Sequence, residues 1–116
     1  MLSKFERKDD IPSELVLDKK PKHPLRAEVK FMPDLMSPAE SQAKMGITFV
    51  CNQMCDDPYE TFKLQVLSAL LFEGPNSLFY KTIIEGDVAP NFCPGYGYDN
   101  TTRQSTFTVG VQGIET

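Results

Sequence analysis

A chain of 116 residues holds one small domain around one core and not two. Its 41% hydrophobic and 24% charged residues are ordinary for a globular protein. The formal charge of −4 argues against nucleic acid or an anionic membrane surface as partner, since both select a basic face.

The opening "MLSKFERKDD" lacks the apolar stretch of a secretory signal and is too acidic for a transit peptide, so it carries no address. No window approaches the roughly 18–20 apolar residues of a membrane span. Residues 7–25 hold three prolines and mixed charge without a period, which predicts an extended linker. The basic run "DKKPKH" within it is broken by proline and reads as solvated surface.

"RAEVKFMPD" (26–34) alternates, with Ala27, Val29 and Phe31 on one face against Glu28 and Lys30, and predicts a half-exposed strand ended by Pro33. "MGITFVCNQM" (45–54) predicts a second strand, Ile47, Phe49 and Cys51 facing one way and Thr48, Val50 and Asn52 the other. A helix follows. Asp57 suits its N-cap, Pro58 its first position and Glu60 a reciprocal cap. Tyr59, Phe62, Val66, Ala69 and Leu70 form one stripe, and Leu64, Leu67 and Leu71 widen it almost all round, which predicts a mostly buried helix.

"GPNSLFYKTIIEG" (74–86) is read as a helix stop at Gly74-Pro75 and a second, shorter helix capped by Asn76 or Ser77 and closed at Gly86. It lacks the Gly-Lys-Ser/Thr ending of a phosphate loop, and a nucleophilic Ser77 lacks a base nearby. From Val88 to Tyr98 the period returns to two, with Phe92, Pro94, Tyr96 and Tyr98 on one side; the prolines suit an edge or bulged strand. "YDNTTR" is a turn, and "STFTVGVQG" a last strand with Phe107, Val109 and Val111 toward the core. The order strand-strand-helix-helix-strand-strand gives an α+β fold, an antiparallel sheet with helices packed on one face. Its uncovered edge is a pairing hazard and predicts self-association.

Three cysteines, Cys51, Cys55 and Cys93, and the single His23 make neither a disulfide framework nor a zinc knuckle; free thiols in a reducing compartment are the reading preferred. The residues therefore supply no catalytic group and no metal site.

"LSALLFEGPNSLFYKTIIEG" followed by "NFCPGYGYDNTTRQSTFTVGVQGI" closely resembles the second, non-catalytic domain in the N-terminal half of pitrilysin/insulinase-type zinc metallopeptidases, in particular those that degrade unfolded peptides such as cleaved mitochondrial targeting presequences. The resemblance runs from Arg26 to Ile114 and is densest in Gly74-Pro75-Asn76-Ser77, Phe79-Tyr80-Lys81 and Phe107 to Gly113; "LSKF" at 2–5 also fits. It implies a linker and N-terminal extension over 1–25 and about half of a pitrilysin-type domain over 26–116. It further implies a chamber-wall role beside the catalytic domain of a parent chain in the mitochondrial matrix, with peptides as substrates and zinc in the parent. The family's His-x-x-Glu-His motif is absent from this sequence, so no catalytic or metal residue carries over and no cofactor is expected in these residues. Val88, Phe92, Tyr96, Tyr98 and Arg103 are the residues placed to touch peptide, weighed against packing for the aromatics and a surface ion pair for the arginine. Cys51, Asn52 and Gln53 depart from the family, where a more apolar strand end is expected. The alternative function is a free-standing module that captures extended peptide on an exposed sheet edge.

Overall fold

The computed structural model describes residues 16–17, 19–36 and 38–115. The expectations for residues 1–15 lie outside them. From residue 16 to 42 the described chain has no helix or strand except one 3-10 turn, Ala39–Ser41. Strand β1 then runs over Ala43–Gln53, helix α1 over Pro58–Phe72, and a π-helical turn over Tyr80–Ile84. Two short strands, β2 (Asn91–Phe92) and β3 (Gly97–Asp99), precede the long β4 (Gln104–Ile114). The α+β class with an antiparallel sheet stands.

β4 is the centre of that sheet. It pairs with β1 along one side and with β2 and β3 along the other, antiparallel throughout. Facing pairs Met45/Val111, Ile47/Val109 and Phe49/Phe107 share one face, and Phe72 of α1 packs on that face with its ring 6.2 Å from that of Phe107. The opposite face carries Thr48 and Thr108, whose hydroxyls meet at 3.0 Å.

Two register shifts bound the regular part of the β1–β4 ladder. At the Ala43 end the extra residue is Gly113, which takes a positive φ of 80° that glycine adopts without strain. Between Val50 and Gln53 the extra residue lies on β1, and it turns Asn52 toward the helix face instead of leaving it beside Thr48 and Val50.

Helix α1 forms where its caps demand. Asp57 Oδ1 accepts the Glu60 amide at 2.9 Å with Pro58 in the first turn, and Gly74 ends the run with φ of 81°. The reciprocal cap does not form, because Glu60 turns to Lys63 one turn on. Three further expectations change. Residues 26–34 are exposed and form no strand: alternation makes a strand only where a ladder partner supplies hydrogen bonds. Val88–Tyr98 is two short strands and not one, because Gly95 turns the chain between them at φ of 76°. The helix is not mostly buried: Phe62 is 62% exposed and Leu70 68%, since the sheet covers one side of it only. In the corner after α1, Ser77 supplies its carbonyl to Lys81 N, but its buried hydroxyl makes no cap, and Asp87 rather than Gly86 takes the left-handed conformation.

Candidate functional site

Phe72, the last residue of α1, is the centre of the small core. Its ring lies 5.1 Å from Phe79, 5.2 Å from Phe92 and 5.0 Å from Tyr96, the first two edge to face. Phe92 and Tyr96 stack at 5.0 Å across the β2–β3 turn. Between this cluster and the helical corner opens a cleft of about 560 Å³, walled by Phe72, Pro75, Tyr80, Ile84, Phe92 and Tyr96. The π-helical turn matters here. Its wider winding, closed by Glu85 N donating to Tyr80 O at 3.0 Å, brings Tyr80 and Ile84 four apart onto one wall. No residue lining the cleft is charged, and its exposed lining mixes ring surface with neutral polar atoms, so it suits contact with uncharged groups and not the movement of protons.

Of the five residues expected to touch peptide, Phe92 and Tyr96 lie together in this wall, and Tyr96 is 46% exposed. Val88 is exposed in the loop before β2. Arg103 stands apart, on a second depression of about 380 Å³ that Leu17, Val50 and Thr106 also line. Tyr98 is committed elsewhere. Its hydroxyl donates to Asn52 Oδ1 at 2.8 Å and its amide to Ser68 Oγ at 3.0 Å, so it ties β3 to β1 and α1.

Asn52 makes a polar knot under the start of α1. Its Nδ2 donates to Thr61 Oγ1 at 2.8 Å and Asp57 O at 3.2 Å. Ser105 Oγ, fully buried, lies 2.8 Å from both the side-chain and main-chain oxygens of Asn52. Each polar atom of the Asn52 side chain is thereby satisfied without water. The departure from an apolar strand end at 51–53 is this knot.

Nothing in the cleft is nucleophile or base. His23 is exposed in the N-terminal segment, and burial pushes the Cys51 thiol above its ordinary value, away from the thiolate a metal takes. Among the described residues no three His, Cys, Asp or Glu side chains gather as a ligand group. Phe72, Tyr80 and Ile84 were not legible as site residues. Phe72 falls in neither apolar stripe of the first helix, Tyr80 and Ile84 lie off the face predicted for the second, and a π turn leaves no mark in a 3.6-residue period.

Residues 1–114 match a protein family described as "Peptidase M16 inactive domain". Among curated relatives, the chain is 36% identical to "Presequence protease, mitochondrial" of Danio rerio over 117 aligned positions, which is 97% of this chain and 11% of the relative. The protein of the same name from Mus musculus is 37% identical over 97% of this chain and 11% of the relative. That of Schizosaccharomyces pombe is 44% identical over 68% of this chain and 8% of the relative. The chain thus spans about a tenth of the length of these relatives.

Proposed function

This chain belongs to the peptidase M16 family, within its inactive domain, and from that premise we propose that it is a wall segment of a larger zinc metalloendopeptidase that degrades unfolded peptides. In this reading the substrates include cleaved mitochondrial presequences and the compartment is the mitochondrial matrix, in keeping with the names of the relatives. Bond cleavage belongs to another domain. The described residues do not fit zinc, since they hold no cluster of ligands, and no step of hydrolysis runs through them. What they offer is surface: the uncharged aromatic cleft carries the reading, because rings mixed with neutral polar atoms meet unfolded peptides of varied sequence without demanding a particular charge. The catalytic domain of the parent packs, in this proposal, against the exposed apolar side of α1, where Phe62 and Leu70 stand bare.

Fluorescence anisotropy with a labelled amphipathic presequence-like peptide tests the cleft. The chain binds, and Tyr96→Ser weakens binding about tenfold, the equivalent of about 1.4 kcal/mol for one lost aromatic contact. Equal affinity for the two proteins, or no binding by the unmodified chain, removes the peptide-contact role. Cleavage of that peptide by the chain alone, abolished by a chelator, would overturn the wall-segment reading itself.

A further inference from the structure

Two unsatisfied features of this chain fit each other. The first is the outer edge of β1, which has no strand beside it among the described residues. It is eleven residues long, has no proline and one charge, Lys44, and its helix-side face leaves Met45, Ile47 and Phe49 more than half exposed. A long apolar edge of this kind is one that proteins ordinarily cover. The second is the exposed segment 26–33, with Val29 79% and Phe31 53% accessible.

The chain between them is already closed. Asp34 N donates to Gln42 Oε1 at 2.7 Å and Gln42 Nε2 donates back to Asp34 O at 2.8 Å, so residue 34 sits beside residue 42 at the foot of β1. Both bonds come from the Gln42 side chain, and running back from Asp34 and forward from Gln42 from that juxtaposition offers one antiparallel register. It sets Phe31 opposite Met45, Val29 opposite Ile47 and Ala27 opposite Phe49. Ala27, Val29 and Phe31 then share a face with exposed apolar residues of β1, the face that α1 occupies further along, while Met32 falls opposite Lys44 on the other face. Slipped by one residue, the same segment would set Glu28 and Lys30 on that face instead.

We infer that residues 26–33 dock on the outer edge of β1 as a fifth strand of the sheet in this register. The segment has the chemistry of a protected edge and β1 does not: Arg26, Glu28 and Lys30 would point to the solvated face, and Pro33, without an amide hydrogen, falls at the end of the ladder. The tether favours the chain's own segment over any free peptide, since a short closed loop holds it at an effective concentration in the millimolar range. The structure holds the undocked arrangement, and the Asp34–Gln42 clasp is the hinge common to both.

The test is a pair of cysteines in the 116-residue chain with Cys51→Ser and Cys55→Ser. Val29→Cys with Ile47→Cys forms an intrachain disulfide under mild oxidation at least about tenfold faster than Val29→Cys with Thr48→Cys, whose side chains lie on opposite faces of the docked strands. Amide exchange on the unmodified chain is the second measurement, because it needs no substitution: alternate amides of 27–32 exchange at least about tenfold slower than an unstructured peptide. Equal oxidation rates with unprotected amides overturn the inference. So does a disulfide that forms only between copies, which would assign the β1 edge to a second molecule.

Discussion

Asn52 is worth more to this chain than an exposed-strand asparagine has any reason to be. Its side chain satisfies Tyr98, Ser105 and Thr61 at once, and each of those groups is partly or wholly buried. Asn52→Ala takes the acceptor from the Tyr98 hydroxyl and one of two partners each from Ser105 and Thr61, which keep the main-chain oxygens of residues 52 and 57; it costs about 1–2 kcal/mol and shows as a fall of roughly 5 °C or more in the thermal midpoint. A shift of only a degree or two would mean that water replaces the amide freely. Asp99 gives the pH-dependent counterpart. The Thr101 amide at 2.9 Å and hydroxyl at 2.7 Å hold its carboxyl below the ordinary aspartate range. A depressed folded-state value means that the stabilisation is complete above the unfolded-state value and disappears as pH falls through the folded one. The β3–β4 turn therefore loosens only in acid. Titrating the Thr101 amide resonance should give a midpoint below that of an unstructured aspartate; an ordinary midpoint would show that the turn contributes nothing to the charged form.

Among the elements, the β1–β4 pair has one position where size decides everything. A methyl group on Gly110 would stand 2.7 Å from Met45 O, 2.9 Å from Gly46 Cα and 2.5 Å from Cys93 Sγ, two of them backbone atoms that cannot yield. On Gly46, directly across the ladder, the nearest atoms are at 3.9 Å. Gly110→Ala is thus expected to cost about 2 kcal/mol or more in urea unfolding, and Gly46→Ala less than about 0.5. Equal costs would place the strain elsewhere. These elements were legible in the sequence to differing degrees, for physical reasons. Helix α1 was written locally, in Asp57, Pro58 and Gly74, and the structure keeps all three in role. The facing of β1 was legible as far as Val50, where the bulge adds one residue and reverses Asn52; strict alternation has no way to announce it. Phe92 and Tyr96 could be picked out by their shared period, whereas the walls opposite them come from a turn whose winding is set by tertiary packing.

As a whole, the molecule presents a helix with a covered side and a bare one. Phe62→Lys with Leu70→Glu should leave the chain's own stability within about 0.5 kcal/mol, because neither side chain is buried, while lowering the binding of a hydrophobic dye. A loss above about 2 kcal/mol would show that the bare side already packs against part of this chain. The same sheet that leaves this side open has another consequence, in time rather than space. Among the described residues no two strands pair except through β4, which is the last of the described elements. The Thr48 hydroxyl must wait for that of Thr108, 60 residues later. At roughly 5–20 residues per second of synthesis that is several seconds, during which β1 is without β4 and its face toward α1 stays open. A nascent chain halted before residue 104 lacks β4 and with it the strand that joins β1 to β2 and β3.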